Sequence, residues 1–335
     1  MMTEKKHYNV ALFVPHAGCP HQCMFCNQRH IAGAAGMPSA RDIQTACQTA
    51  RRTLPPGAKA QIAFFGGSFT AIPRSDMEAL LQAAAPFVKS EEFTGIRVST
   101  RPDAVDSEVL KVLKHYGVTT VELGAQSMND AVLTRCGRGH TAKQVETASA
   151  LIQKAGLSLG LQMMTGLPDS TDEIDEQTAQ ALAALRPDEV RIYPTLVIDG
   201  TPLGIEYRQG KYVPQSLEQA VDLCARLLVF FEEEQHIPVI RMGLHAEEEM
   251  TGHLLAGPFH PAFRELCEGR LYRDKALALL QQKGEASAVL RVHPTALSKL
   301  VGHKKENIRA FAKAGYAVTI AADETVLPKQ IIWGK

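Results

Sequence analysis

Cys19-Pro20-His21-Gln22-Cys23-Met24-Phe25-Cys26 sets three thiols in a C-x₃-C-x₂-C pattern. They are too close together for a disulfide framework and one ligand short of a closed metal site. Iron–sulfur clusters are held by four cysteine thiolates, so three would leave one iron open to a small-molecule ligand. Zinc with Cys₃His ligation is the rival, because His16, His21 and His30 lie nearby in the chain and zinc takes that donor set. This stretch by itself leaves both readings standing.

Composition narrows the class. The 335 residues are 45% hydrophobic, enough for one large α/β domain or for two domains. Lys+Arg and Asp+Glu both number 36, so no global charge points to nucleic acid or to a membrane. The polar start, Met1 to Tyr8, lacks the apolar core of a signal peptide. No stretch approaches the ~20 apolar residues of a membrane span. Cys47, Cys136, Cys224 and Cys267 are scattered, three of them in helical patterns. A reducing cytoplasm suits them, and it also suits an oxygen-sensitive cluster.

Outward from the cysteines, the chain alternates strand and helix. Asn9 to Val14, stopped by Pro15, is an apolar strand running straight into the cysteine loop. Further strands are expected at Gln61–Gly67, Ile96–Thr100, Thr119–Gly124, Leu159–Met164 and Glu189–Tyr193, with Val239–Met242 as a seventh. Capping signatures at Ser75-x-x-Glu78, Thr141-x-x-Gln144, Ser170-x-x-Glu173 and Ser216-x-x-Gln219 open intervening helices. This is the rhythm of βα units around a parallel sheet. Polar and glycine-rich residues gather just after each strand, and in a βα barrel those loops share the face where active sites are built. The convergence of six such loops indicates an enzyme.

The cysteine pattern, with Phe25 before its last member, resembles the signature of the radical S-adenosylmethionine (SAM) superfamily. The resemblance implies a partial (β/α)₆ barrel of TIM type. It also implies a [4Fe-4S] cluster on Cys19, Cys23 and Cys26, with SAM on the open iron. Gly66, Gly67 and Ser68 stand where that superfamily receives the amino group of SAM, a place needing close backbone approach. Ser68 replaces the usual acid, which leaves backbone carbonyls to supply most of the ammonium recognition. Phe25 matches an aromatic near the adenine, and Tyr193-Pro194 would meet the adenine through backbone atoms. Gln126, Gln162 and Arg138 match ribose- and carboxylate-binding positions of porphyrin-modifying relatives, with Gln162 replacing an acid. Amides can accept from ribose hydroxyls, and arginine pairs with carboxylates.

A narrower likeness rests on Phe64–Thr70, Ser99–Asp103, Glu122–Ser127, Arg138-Gly139-His140, Gly166–Pro168 and Arg191–Thr195 with Gly200-Thr201. Together they resemble the radical SAM domain of the Elongator catalytic subunit, which modifies the wobble uridine of tRNA. The resemblance covers roughly residues 9 to 245. It implies reductive cleavage of SAM to a 5′-deoxyadenosyl radical and modification of a tRNA or other RNA base. It further implies an electron donor such as flavodoxin or ferredoxin. That family's acetyltransferase domain is not expected, since only 90 residues follow position 245 and they show no acetyl-CoA phosphate loop. Its basic N-terminal extension is not expected either.

Residues 246–284 read as a helical and loop connection packing on the 1–245 barrel. His245–Glu249 and Gly257–Phe263 are taken there as an acidic solvated face and a proline-broken loop, against a second metal. Residues 285–335 read β-α-α-β and resemble the core of a KH RNA-binding domain, with Lys305 in place of the second glycine of its Gly-x-x-Gly loop. Arg291 to Lys313 holds six Lys/Arg against Glu306 alone, so Lys304, Lys305 and Arg309 are the expected phosphate contacts. A purely structural cap is the alternative. Two other functions remain: a coproporphyrinogen-dehydrogenase-like porphyrin-pathway enzyme or haem carrier, and a zinc-containing RNA-binding protein.

Overall fold

The computed structural model describes residues 7–14, 19, 23–27, 36–90, 92–244 and 251–334. Seven strands form one sheet: β1 (His7–Val14), β2 (Lys59–Gly66), β3 (Ile96–Thr100), β4 (Val118–Gln126), β5 (Ser158–Thr165), β6 (Glu189–Pro194) and β8 (Val239–Met242). Each pairs in parallel with the next, and the sheet curls into a half-barrel with its helices outside. The short strands β7 (Val197–Ile198) and β9 (Leu254–Ala256) pair antiparallel beside it.

Period-2 alternation sorts the strand side chains. Ile62, Val98, Val121, Leu123, Leu159, Leu161, Val190 and Ile192 face out into an apolar core with helix residues such as Leu81, Leu113, Ile152, Leu182 and Leu223. The alternate positions point into the barrel and are polar yet buried: Gln61, Arg97, Ser99, Thr120, Glu122 and Arg191. Register aligns Ser99, Glu122, Gly160 and Glu189 across four neighbouring strands. Gly160 makes room for this layer, since a Cβ there would stand 2.8 Å from Glu122 Cγ and 3.3 Å from Glu189 Oε1.

Two helix starts differ from the sequence expectation. Arg74–Lys89 begins after Pro73 with no side-chain cap, and Ser75 lies inside the helix. The fixed φ of proline sets that entry without a capping box. In the helix Asp172–Ala184 the cap is Thr171, accepting from Ile174 N–H, while Ser170 Oγ donates to Asp175 at 2.6 Å. Thr141 and Ser216 do form capping boxes with Gln144 and Gln219.

The helix Phe263–Lys283 belongs to two cores. Phe263, Leu266 and Cys267 enter the barrel core, while Tyr272, Ala276 and Leu280 pack with Leu290, Leu300 and Phe311. This second core supports β10 (Ser287–Val292), which pairs in parallel with β11 (Ala317–Ala322) and antiparallel with β12 (Ile331–Gly334). The helices Leu297–Val301 and Glu306–Lys313 join β10 to β11; β12 is an addition to the β-α-α-β order read from the sequence. Asn307 Nδ2 ties the unit to the long helix by donating to Gly269 O at 2.9 Å, and it also donates to Lys299 O and Leu300 O. The ring of His303 stands edge-on to that of His260, 5.2 Å away. The segment His245–Glu249 lies outside the described residues.

Gly160→Ala is expected to destabilise the chain by about 1–3 kcal/mol through overpacking. Denaturant unfolding checks this, and an unchanged midpoint would show that the interior layer yields freely.

Candidate functional site

A cavity of about 200 Å³ opens at the carboxyl ends of the strands, and Cys19, Cys23 and Cys26 all line it. The cysteine loop is pinned from both sides: Met24 N–H donates to Cys136 O at 3.1 Å and Leu203 N–H to Met24 O at 2.8 Å. Beneath it Met24 and Phe25 pack with Val132, Cys136, Leu167, Leu203 and Tyr212. None of the seven cysteines forms a disulfide. Burial pushes the Cys19 thiol up, and neighbouring Cys23 adds to this; Arg101, Arg138 and the Ser68 N–H pull it back. Cys136 is buried and pushed up to about 12, Cys47 to about 11, so these thiols stay protonated and packed. Among the described residues no three His, Cys, Asp or Glu side chains are grouped to hold a single metal ion. His16, His21 and His30 lie outside those residues.

The cavity collects the sequence-selected residues from the ends of five strands and the segments that follow them. Phe25, Gly66, Gly67, Gln126, Arg138, Gln162, Tyr193 and Pro194 all line it. Gly66, with φ of 105°, turns the chain where a side chain would be strained. Ser68 is the exception. Its hydroxyl is buried against Thr100 Oγ1 at 3.0 Å and accepts from Arg101 N–H at 3.2 Å, so only its backbone reaches the thiols.

Arg138 is buried, yet no carboxylate pairs with it among the described residues. Nη1 donates to Cys23 Sγ at 3.2 Å and Nη2 to Gly124 O at 2.6 Å, while Nε has no partner. Arg101 differs, because Asp103 holds it at 2.9 and 3.1 Å before it donates to Arg138 O at 2.6 Å. An uncompensated buried guanidinium beside thiols suits an anionic ligand. Gln126 sits at a register slip in β4 with φ of 68°, and its buried Oε1 has no partner. Backbone strain of this kind clusters at ligand sites. His140 Nε2–H donates to Ala125 O at 3.2 Å, and burial together with Arg138 holds it near 4, hence neutral.

Sequence alone assigns no role to Glu122. It is 1% exposed. Oε1 accepts from Arg97 and from Arg191 Nη2 at 2.8 Å; Oε2 accepts from Gln162 Nε2 at 2.7 Å and Ser99 Oγ at 3.3 Å. Arg97 also pairs with Glu189. Gln162 is therefore held by its amide nitrogen at the cavity wall, which leaves its oxygen as the group available to a ligand. Polar or charged residues two apart within otherwise apolar strands, Arg97 with Ser99 and Glu189 with Arg191, are the available signal.

A family model for the radical SAM superfamily matches residues 13–182, just over half of the chain. The chain belongs to the radical SAM superfamily. It is an enzyme. The radical SAM C-terminal domain matches residues 187–273 as well. A tRNA uridine(34) acetyltransferase of Methanocaldococcus jannaschii is 34% identical over 129 residues, 38% of this chain and 24% of that protein. Human Elongator complex protein 3 is 38% identical over 137 residues, 40% of this chain and 25% of its own length. The chain thus spans about a quarter of these relatives. The solved structure of Methanocaldococcus infernus Elp3 lacking its N-terminus aligns with a TM-score of 0.60 at 21% identity, over 84% of this chain and 64% of that one. That likeness is one of fold. No described helix is long and apolar enough to cross a membrane.

Burial alone would push the Glu122 carboxyl up, but Arg191 and Arg97 outweigh it and hold it below its ordinary 4.5. The unfolded chain then binds the proton more readily, so this contribution is complete above pH 4.5 and falls away as pH drops. Glu122→Gln should destabilise the fold by roughly 3–5 kcal/mol, because it leaves buried arginine charge uncompensated. It should also flatten stability against pH below 4.5, as read by urea unfolding across that range.

Proposed function

We propose that Cys19, Cys23 and Cys26 hold a [4Fe-4S] cluster, that SAM occupies the cavity beside it, and that the substrate is a base of tRNA or another RNA. The observation supporting this is the convergence of three thiols, the Gly66-Gly67 turn, Gln126, Gln162 and the uncompensated Arg138 on one cavity. The residues fit the group: the loop offers three thiols, and Arg138 and Arg101 supply positive charge where thiolates would form. When bound, cluster and SAM together supply reductive cleavage of the sulfonium and a 5′-deoxyadenosyl radical that takes a hydrogen atom from the substrate. The electron comes from a donor of flavodoxin or ferredoxin type, in a reducing cytoplasm.

The chain's own residues bind, orient and exclude water. Gly66 and Gly67 let backbone approach the ammonium, and Ser68 contributes main chain alone. Gln126 and Gln162 present amide oxygens to ribose hydroxyls. Arg138, already against Cys23, would hold the carboxylate of SAM. Phe25 and the end of β6 at Tyr193-Pro194 would flank the adenine. Gly257 to His260 connects this mouth to the C-terminal unit, because His260 touches His303. Lys304 and Lys305 follow His303 and, with Arg309, would hold RNA phosphates at the rim. The named activities of the tRNA uridine(34) acetyltransferase and Elongator relatives support the choice of RNA.

Anaerobically reconstituted protein should contain about four irons and four sulfides per chain. Cys19→Ala, Cys23→Ala and Cys26→Ala should each abolish this, whereas Cys47→Ala and Cys224→Ala should retain it. Stoichiometric zinc without sulfide would refute the assignment. Gly67→Val should impair SAM binding, and Gln126→Ala and Gln162→Ala should each weaken it by roughly 1–3 kcal/mol. Calorimetric titration reads this, and unchanged affinity in all three would place SAM elsewhere. The whole function is tested by nucleoside mass spectrometry of tRNA incubated with reduced protein and SAM. A new modified base dependent on Cys23 is expected; SAM cleavage with tRNA unaltered would remove RNA as substrate.

A further inference from the structure

The C-terminal unit has more positive charge than it pairs. Residues 287–335 hold eight Lys/Arg against three Asp/Glu, in a chain whose totals are equal. Lys299 and Arg291 are paired, with Glu268 and Asp323. Lys304, Lys305, Arg309 and Lys313 are exposed, and among the described residues none of the four meets a carboxylate. Lys305, Arg309 and Lys313 recur every four residues and so form one stripe along Glu306–Lys313. Lys304 and Lys305 hold left-handed backbone, with φ of 48° and 62°, a conformation non-glycine residues rarely adopt. Arg309 Nη1 donates to Lys304 O at 2.7 Å, fixing the loop at the head of the stripe.

Beside the stripe runs an open trough of about 690 Å³ between that helix and the three-stranded sheet. Ile308 and Ala312, each one residue before a stripe cation, line its helix side, and Val318 lines the sheet side. Tyr316 and Trp333 line it as well, both half-buried. Tyr316 immediately precedes the edge strand β11, and Trp333 lies on the edge strand β12. A polyanion would satisfy the cations, and flat apolar rings would satisfy the aromatic pair. Single-stranded nucleic acid offers both at once, whereas a duplex hides its base faces and an acidic peptide has none.

We propose that this trough is a binding groove for single-stranded RNA, with bases against Trp333 and Tyr316 and phosphates along Lys305, Arg309 and Lys313. The inference deepens the RNA reading above, on which it rests, and it adds a site of contact on the C-terminal unit outside the cluster cavity. Trp333 is the only tryptophan of the chain, so intrinsic tryptophan fluorescence reports this groove alone. Full-chain protein is titrated with an oligouridylate of about ten nucleotides, and separately with an RNA duplex and with heparin. Labelled oligouridylate gives an independent affinity by anisotropy.

Saturable quenching by the oligouridylate is expected, with log affinity falling against log salt at a slope near −2, about −0.7 for each of three phosphates. Arg309→Glu with Lys313→Glu should weaken binding at least tenfold in both signals. Trp333→Phe should keep anisotropy affinity within a few-fold, and Trp333→Ala should lose about tenfold or more. Circular dichroism confirms that each variant is folded. Oligouridylate binding with no change in tryptophan emission would overturn the groove, as would equal affinity in the double variant. Equal quenching by heparin or duplex would reduce it to a general polyanion surface and overturn base stacking. SAM cleavage without RNA is scored in parallel. Cleavage without quenching removes the groove and leaves the barrel reading, and quenching without cleavage does the reverse.

Discussion

Glu122 is the charge on which the barrel interior depends. A carboxylate buried without partners would take up a proton; this one is shared by Arg97 and Arg191 and also accepts from Ser99 and Gln162. Those partners come from three strands and Glu122 from a fourth, so the network fixes the register of the inward face while the outward face is fixed by aliphatic packing. Replacing such a network by apolar side chains can be neutral for stability. Its role here is better understood as setting the upper layer: Gln162 is anchored by its nitrogen and stands at the cavity with its oxygen free to accept.

That upper layer is where charge is left uncompensated. Arg101 has Asp103, and Arg97 and Arg191 have Glu122 and Glu189. Arg138 has a thiol and a carbonyl. The change from paired to unpaired arginine on moving up the barrel marks where the fold stops stabilising itself and leaves interactions to a ligand. The Phe263–Lys283 helix carries the same rigidity outward, since residues of its first half complete the barrel core and residues of its second half support the C-terminal sheet. The contact between His260 and His303 then sets the basic loop beside the barrel's mouth rather than at its base.

Much of this was legible in the chain. The strand order follows from the alternation of apolar runs and helices, and the positions of Gly66, Gly67, Gln126, Arg138 and Gln162, which line the cavity, follow from the family resemblance. What was not legible required register or rotamer. Ser68 precedes Arg101 by 33 positions, and only the fold shows that its hydroxyl turns toward Thr100 and not into the cavity. Glu122 and Gln162 read as isolated polar residues until pairing of β4 with β5 brings them together. Pro73 displaced the capping box expected at Ser75, because a proline at the entry fixes the backbone without a side-chain oxygen. The third strand of the C-terminal sheet, Ile331–Gly334, is too short to announce itself by alternation.

Cys19, Cys23 and Cys26 share one cavity with Arg138, Gln126 and Gln162, and a cluster held by three thiolates would keep one iron for a ligand bound there. Electron paramagnetic resonance of the dithionite-reduced, anaerobically reconstituted protein, recorded with and without SAM, tests it most directly. The account predicts a reduced-cluster signal whose g-values shift when SAM is added, and which Gly67→Val protein no longer shifts. A signal identical with and without SAM in the unaltered protein would contradict it.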